Sequence, residues 1–204
     1  MPRSGRTPSA DARERWNARH AERAEDPLAP PSGWLADHRD VLTDAAPGRA
    51  LDLAAGRGRN SLFLAELGFD VDAVDVSDVA VETVARHARE RGLPVSAHRL
   101  DVTRDDCPRP PYAVIVNVAF LERSLFEPIR DALAPGGLLL FETFTRDHVE
   151  RAGGSMPAER TLERGELRRA FADLEVLDYR EAVVERELGP GLRGISSLLA
   201  RRPG

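Results

Sequence analysis

The sequence predicts an α/β fold, a doubly wound and mostly parallel seven-stranded sheet that ends in an antiparallel hairpin. Three observations predict this fold. From Ala50 onwards, short apolar runs alternate with helix-like segments. The run at 112–118 is almost entirely apolar, which is typical of a parallel strand buried on both faces. Two β-type runs, 174–185 and 194–201, flank the turn-like residues 188–192, so the chain closes on a hairpin.

The elements before the sheet are predicted to be helical. Residues 1–9 are expected to form a flexible tail, and the charged segment 10–24 favours a helix. The proline-rich segment 26–33 ends that helix, and a second helix is expected over 34–43. We expect these helices, within residues 10–48, to form a lid on the remainder of a single domain that ends at residue 204.

Strands and helices then alternate along the chain. The predicted strands before the hairpin are 50–54, 70–75, 95–100, 112–118 and 138–144. The predicted helices are 59–67, 77–91, 124–133 and 163–171. Gly68 and Gly92 are expected to end two of them, and Ser77 or Asp78 is expected to cap the start of one. The connection 145–162 is long for its position, and long connections of this kind are often functional lids.

The composition of the chain argues against several classes of function. A net charge of -5 and a pI near 5.6 do not favour broad capture of nucleic acid, so no nucleic-acid partner is expected. All the basic residues other than histidine are arginine, which excludes lysine chemistry. The single cysteine, Cys107, and the scattered histidines show no metal-site spacing, so no metal is expected. Neither a transmembrane run nor a signal peptide is evident, so we expect a cytoplasmic protein with no membrane partner.

The segment 50–61, Ala-Leu-Asp-Leu-Ala-Ala-Gly-Arg-Gly-Arg-Asn-Ser, is the most informative part of the sequence. It predicts a short strand, a turn that contains Gly56 and Gly58, and the start of a helix. Glycine lets a ligand approach the backbone, and a helix N-terminus favours an anionic group. Asp75 ends the next predicted strand and adds a carboxylate beside the turn. Together these features predict a pocket for a nucleoside-bearing cofactor.

The stretch Leu51–Ala65 resembles the first motif of the class I S-adenosylmethionine-dependent methyltransferases. Within it, Gly-Arg-Asn-Ser at 58–61 resembles the small-molecule branch that includes the tellurite-resistance methyltransferases. The segments 16–20, 120–123 and 134–145 are similar to that branch as well, so the resemblance covers most of the chain.

The resemblance implies a Rossmann-like methyltransferase fold, S-adenosyl-L-methionine as cofactor and a small-molecule acceptor as partner. Residues 49–144 would form the cofactor-binding core, and 145–204 would form the substrate loop, a helix and the hairpin. The implied reaction is methyl transfer by in-line displacement, which needs neither a metal nor a nucleophile triad. The family often has cysteine where this chain has Ala55, and a small residue is retained here.

The methionine part of the cofactor is implied to lie against the first strand and the glycine turn. Asp52 would orient the methionine amine, directly or through water. The backbone of Ala54, Gly56 and Gly58 would approach the methionine part, and Asn60 belongs to the same implied set.

The nucleoside part is implied to lie at the ends of the neighbouring strands. Asp75 would bind the ribose hydroxyls, with Val76 against the adenine. The resemblance also implies that Asp101 and Val102 lie near the adenine amino group. Asn117 and Val118 would lie under the sulfonium. Asp101 has an alternative, because the same residues could simply turn a loop.

The candidate catalytic residues have simpler alternatives. His148, in the loop after the fifth strand, is a candidate base, or else an ordinary exposed histidine. Arg123 is a candidate contact for an anionic acceptor, or else a partner in a surface salt bridge. Trp16, Arg19 and His20 could fold over the cofactor, or their helix could pack Trp16 on the edge of the sheet. A soft acceptor such as a thiolate would need no strong base.

Two other functions share parts of the pattern. A nicotinamide-dependent oxidoreductase would share the glycine turn and Asp75, but Ser61 stands where the dinucleotide pattern has its third glycine. The closing hairpin also does not suit that fold. A non-catalytic module that binds S-adenosylmethionine is compatible too, because the transfer step needs no diagnostic residue. The acceptor and the oligomeric state are not encoded in any motif.

Overall fold

The computed structural model describes residues 9–105 and 110–204. Residues 1–8 of the predicted tail and Cys107 lie outside the described residues. The strands are β1 (Arg49–Leu53), β2 (Asp70–Asp75), β3 (Val95–Arg99), β4 (Tyr112–Val118), β5 (Leu133–Phe144), β6 (Glu175–Glu185) and β7 (Leu192–Arg201). They form one seven-stranded sheet in the order β3-β2-β1-β4-β5-β7-β6.

The direction of the strands matches the predicted fold. β3, β2, β1, β4 and β5 pair in parallel, and β7 runs antiparallel between β5 and β6. The doubly wound, mostly parallel sheet with a closing hairpin is therefore confirmed. The carboxyl ends of β1, β2 and β4 lie at one edge, where this topology places its ligands.

Eight α-helices surround the sheet in the described ranges. They are α1 (Ser9–Ala21), α2 (Gly33–Asp37), α3 (Arg39–Thr43), α4 (Arg59–Glu66), α5 (Asp78–Arg91), α6 (Phe126–Ala132), α7 (Asp147–Glu150) and α8 (Glu166–Ala170). Two 3₁₀ turns, Arg123–Leu125 and Ala158–Arg160, complete the list. The predicted end signals are confirmed: Ser77 Oγ accepts from Ala80 N, and Gly68 and Gly92 have φ of +95° and +64°.

Three regions show the largest differences from the prediction. The single helix expected over 34–43 is broken at His38, whose imidazole lies 2.8 Å from the Trp34 carbonyl oxygen and 3.0 Å from Asp178 on β6. β5 begins at Leu133 rather than 138, with a register shift opposite the start of β4. The connection 145–162 is not a structureless loop, because it contains α7 and a 3₁₀ turn and pairs Thr145 with Leu162.

The core consists of one apolar cluster on each face of the sheet. On the first face α6 and α8 cover the sheet, with these fully buried members among others: Leu53, Ile115, Leu139, Phe141, Leu167 and Phe171. On the second face α2, α3 and α4 cover it, with Trp34, Leu35, Leu42, Phe63, Leu64, Val116 and Leu140. These two clusters hold the helices against the faces of the sheet. The candidate site lies at the carboxyl edge of the same sheet.

Candidate functional site

The glycine turn between β1 and α4 adopts left-handed backbone conformations. Gly56 and Gly58 have φ of +54° and +87°, and Ala54 has φ of +53°. Positive φ is ordinary for glycine but strained for alanine, and such strain is concentrated at functional sites. The turn therefore bends sharply at the edge of the sheet and exposes its backbone. Ala54 was predicted as a backbone contact, but its strain was not predicted.

Gly58 is also required by packing. A Cβ at this position would lie 2.7 Å from Val84 Cγ2 on α5, closer than carbon atoms approach. The start of α4 can therefore lie against α5 only because residue 58 has no side chain. This packing role stands beside the predicted contact with the cofactor.

Asp75 lies at the tip of β2 and faces the glycine turn. Its Oδ2 accepts from Gly56 N and its Oδ1 accepts from Ser77 N, both at 2.9 Å. The side chain is buried, and the next residue, Val76, is half-buried. The carboxylate that the sequence assigns to the ribose is thus held rigidly against the turn, with lone pairs left for hydroxyl groups.

Asp52 is a buried carboxyl on β1, only 1% exposed. Ser61 Oγ of α4 donates to its Oδ2 at 2.6 Å. Burial raises the pKa of Asp52 to about 7, although the Ser61 hydrogen bond opposes the rise. A cationic ammonium beside this carboxyl would favour its ionised form, which fits the predicted role in orienting an amine. The contribution of Ser61 was not predicted.

The end of β4 forms a second strained turn. Asn117 is buried, and its Nδ2 donates to the Phe120 carbonyl at 2.8 Å. Ala119 has φ of +60°, and its N–H donates to the Glu142 carbonyl on β5 at 2.8 Å. Asn117 thus shapes the segment that was predicted to lie under the sulfonium, while Val118 is half-buried beside it.

Asp101 is engaged in a turn after β3. Its Oδ1 accepts from Thr103 N at 3.1 Å and from Thr103 Oγ1 at 2.6 Å. Val102 is buried in the apolar cluster of the first face. These contacts favour the turn-forming alternative for Asp101, and its predicted contact with adenine stays a prediction.

The first helix, α1, lies over the glycine turn and the tip of β2. Asn17 Oδ1 accepts from Ser77 Oγ at 2.7 Å, and Asn17 Nδ2 donates to Asp78 at 3.1 Å. A Cβ on Gly56 would lie 3.6 Å from His20 Cε1, so the imidazole covers the turn. Burial lowers the pKa of His20, although the nearby Asp75 carboxylate opposes this. Trp16 is half-buried, stacks on His20 with ring centroids 5.8 Å apart, and belongs to neither apolar cluster of the described residues.

Asn60 fixes the segment that follows α1. Its Oδ1 accepts from Ser32 N at 2.9 Å, and the side chain is buried. The N-terminal segment is thereby attached to the start of α4, beside the glycine turn. This contact gives Asn60 a structural role, and its contact with a cofactor stays a prediction.

His148 is buried rather than exposed, which differs from the simpler alternative that the sequence suggested. Its ring lies 4.7 Å from that of Phe144, and a Cβ on Gly154 would lie 2.3 Å from its Nε2. Burial lowers the pKa of His148, and the Arg186 charge lowers it further. The His148 ring therefore packs α7 against Gly154.

Arg123 uses its guanidinium within the chain. Nε and Nη2 donate to Glu166 at 2.5 and 3.0 Å, and Nη1 and Nη2 donate to the carbonyls of Glu159 and Thr161 at 2.7 and 2.9 Å. The Glu166 hydrogen bonds raise the pKa of Arg123 further. These contacts are those of the salt-bridge alternative, and the predicted contact with an anionic acceptor stays a prediction. The arginine joins the end of β4 to the connection 145–162.

Comparison with known proteins agrees with this architecture. The chain matches the family described as "Tellurite resistance protein TehB" over residues 35–188. It is 32% identical over 179 residues to a protein named Hemagglutinin 1 from Eikenella corrodens, which covers 81% of this chain and 58% of that protein. It is 27% identical over 171 residues to the probable S-adenosyl-L-methionine-dependent methyltransferase TehB of Haemophilus influenzae strain 10810, covering 79% and 59%.

A solved structure leads to the same family. The crystal structure of TehB from Haemophilus influenzae is similar with a TM-score of 0.70 and 26% identity, covering 82% of this chain and 62% of that chain. The sheet topology and these matches define the class, namely the Rossmann-like fold of the class I S-adenosylmethionine-dependent methyltransferases. Within that class, the chain belongs to the TehB family. It spans about three fifths of the length of the first two relatives (58% and 59%).

Family membership decides against one of the two alternative functions. It excludes the nicotinamide-dependent oxidoreductase as the class of this protein.

Within the part of the chain that the structure describes, none of the helices has the length and apolar character that a membrane span requires.

Proposed function

We propose that this chain transfers a methyl group from S-adenosyl-L-methionine to a small-molecule acceptor by in-line displacement. The observation that carries the proposal is the glycine turn with a buried carboxylate on each side. Asp75 accepts from the turn at Gly56 N, and Asp52 accepts from Ser61 at the start of α4. This pair of acceptor carboxylates fits a ligand with hydroxyl groups at one end and an ammonium group at the other.

The cofactor supplies a methyl group already activated on a sulfonium. The residues that would hold it are Asp75 at the ribose, Val76 at the adenine, and Asp52 with the backbone of Ala54 and Gly56 at the methionine part. What the chain contributes is mainly orientation and exclusion of water, which can provide much of the rate in a displacement of this kind. Because α1 covers the turn at Gly56, it would restrict access of water to the reacting atoms.

The acceptor would be bound by segments that the structure brings together. Arg123 joins the end of β4 to the connection 145–162 through the carbonyls of Glu159 and Thr161. The connection 145–162 belongs to the predicted substrate loop, and Asn117 at the end of β4 was predicted to lie under the sulfonium. The contact between the two segments supports a shared acceptor pocket. The contacts of His148 and Arg123 are structural, so the proposed reaction relies on neither as a general base, and a soft nucleophile suits such a site.

The direct test has two stages. Calorimetric titration with S-adenosylmethionine is expected to show saturable binding, which Asp75→Asn weakens by at least tenfold. Asp70→Asn, at the exposed start of the same strand, is the matched control and is expected to bind normally. Absence of saturable binding by the wild-type protein at millimolar ligand would reject the proposal.

The second stage tests transfer rather than binding. The protein, labelled cofactor and a panel of small thiols, amines and phenols are incubated, and methylated product is measured by scintillation counting. Turnover of at least one acceptor is expected. Tight cofactor binding without any transfer would favour the non-catalytic binding module.

A further inference from the structure

His20, on α1, places a titratable ring over the glycine turn. A Cβ on Gly56 would lie 3.6 Å from His20 Cε1, and the imidazole is close enough to the Asp75 carboxylate for their charges to interact. The side chain is half-buried. Within the described part of the chain, neither of its ring nitrogens has a hydrogen-bond partner. The imidazole is therefore held over the turn with both of its polar atoms unused.

The position of this ring is fixed by its neighbours on α1. Trp16, four residues earlier, stacks on the imidazole with ring centroids 5.8 Å apart and an interplanar angle of 27°. Residues four apart lie on the same face of a helix, which permits this stacking. Asn17 attaches the same helix to the start of α5, because its Oδ1 accepts from Ser77 Oγ at 2.7 Å. The stacking and the helix attachment together keep the imidazole at the turn.

Charged groups from three elements face the imidazole. They are Asp75 on β2, Arg57 in the glycine turn, Arg19 on α1 and Arg23 just after α1. Burial has the largest effect and lowers the pKa of His20, and the three arginines lower it as well, whereas Asp75 opposes them. The imidazole therefore stays uncharged to a lower pH than that of an exposed histidine.

The covalent structure of the cofactor locates its sulfur at this point. The sulfonium joins the ribose, proposed at Asp75, to the methionine part, proposed at the Gly56 backbone, so the sulfur lies between these two contacts. We propose that His20 faces this sulfur and determines, according to pH, whether the site prefers the sulfonium cofactor or its thioether product. The inference rests on the proposed function, which places the cofactor at the glycine turn.

The two ligands differ by a methyl group and by the charge that it gives the sulfur. A neutral imidazole tolerates the sulfonium of S-adenosylmethionine, whereas an imidazolium repels it and has no such effect on the uncharged sulfur of S-adenosylhomocysteine. Acidification should therefore weaken binding of the cofactor relative to the product. The ratio of the two dissociation constants isolates this effect, because both ligands carry the same ammonium for Asp52 and the same ribose for Asp75.

Calorimetry at pH 5, 6, 7 and 8 measures this ratio. Between pH 8 and pH 5, the wild-type protein should lose about tenfold in affinity for S-adenosylmethionine relative to S-adenosylhomocysteine. His20→Phe keeps a ring that can stack on Trp16 but cannot be protonated, so its ratio should stay constant. His87→Phe is the matched control, since burial also lowers the pKa of His87. That residue lies on α5, 3.6 Å from Glu90, and its variant should keep the wild-type pH dependence.

A second measurement keeps the test decisive even if His20→Phe folds poorly. Proton NMR of the wild-type protein follows the Cε1 proton of His20, which the spectrum of His20→Gln assigns. Saturation with S-adenosylmethionine should move the titration midpoint of His20 to a lower pH than saturation with S-adenosylhomocysteine does, because only the first ligand has a positive charge at the sulfur.

A wild-type ratio that does not change from pH 8 to pH 5 would overturn the inference. The same conclusion would follow from an equal change in His20→Phe, or from equal midpoints of His20 with the two ligands. Failure of the wild-type protein to bind either ligand would reject the proposed function instead. The two failures are therefore distinguishable.

Discussion

Single residues at this site serve both the fold and the proposed chemistry. Asp75 holds the glycine turn by accepting from Gly56 N, and Asp52 holds the start of α4 by accepting from Ser61. Gly58 both turns the backbone and makes room for Val84. Substitutions here therefore change folding stability as well as binding, and each test needs a variant that separates the two effects.

The pH dependence of stability is expected to report on Asp52. Its pKa is about 7 in the folded protein because of burial, whereas an unfolded aspartate titrates near pH 4. Between about pH 4 and 7 the folded state holds a proton that the unfolded state has released, so this residue makes stability fall as pH rises. The loss is up to about 4 kcal/mol. Asp52→Asn is expected to remove this contribution in urea unfolding at pH 5, 6, 7 and 8.

The difference in the free energy of unfolding between wild type and Asp52→Asn separates the titration of Asp52 from that of other groups. Relative to wild type, Asp52→Asn should gain stability from pH 5 to about pH 7, and the difference should level off by pH 8. Parallel stability curves would contradict the raised pKa. The same pair tests the proposed ammonium contact, since wild-type affinity for S-adenosylmethionine should weaken below pH 7 and the variant should bind weakly at every pH.

Gly58→Ala is expected to destabilise the protein for two separate reasons. The left-handed backbone disfavours alanine by about 1 kcal/mol or more, and the new methyl group would collide with Val84. The collision adds about 1–3 kcal/mol, as overpacking does in other cores. The free energy of unfolding is measured by urea denaturation.

Gly92→Ala is the matched control. Gly92 also has a positive φ, +64°, but a Cβ there would meet nothing within 4 Å. This variant should lose only the stability that the left-handed backbone costs an alanine. The difference in the free energy of unfolding between the two variants therefore measures the collision with Val84. Equal losses in the two variants would show that α4 and α5 can move apart without cost.

At the scale of elements, α1 is attached to the start of α5 by a small number of polar contacts. Asn17 bonds to Ser77 and Asp78, and Arg13 Nε pairs with Asp78 at 2.6 Å. Because the same helix places His20 over Gly56, release of these contacts would uncover the glycine turn. We propose that α1 is a lid whose opening limits departure of the cofactor.

Asn17→Ala is expected to accelerate cofactor dissociation by up to about thirtyfold, since it removes the hydrogen bonds to Ser77 and Asp78, of about 1 kcal/mol each. The association rate should change much less. Stopped-flow displacement of S-adenosylhomocysteine, followed by tryptophan fluorescence, measures both rates. Arg15→Ala, at an exposed position of the same helix, controls for helix propensity. An unchanged dissociation rate in Asn17→Ala would mean that α1 does not gate the site.

At the scale of the whole molecule, the sequence predicts the sheet well because its signals are local. Alternating apolar runs, Ser77 and Gly92 each act within a few residues, and each was confirmed. The ion pairs of the buried Glu142 with Arg180 and Arg193 were not predicted, because these residues are far apart in sequence and meet only through the sheet. A lone glutamate in the apolar run 138–144 was the one available signal. The burial of His148 likewise depends on distant packing that no local pattern contains.

The sheet is continuous from β3 to β6, so the described residues should unfold as one cooperative unit. Binding at the carboxyl edge of β1, β2 and β4 should then stabilise the whole domain by mass action. S-adenosylhomocysteine at one hundred times its dissociation constant should raise the free energy of unfolding by about 2.7 kcal/mol, and each further decade should add about 1.4 kcal/mol. The expected increase in Tm is about 5–10 °C in differential scanning calorimetry, given the size of the domain. Two transitions, of which only one responds to the ligand, would show that the hairpin and the glycine turn belong to separate folding units.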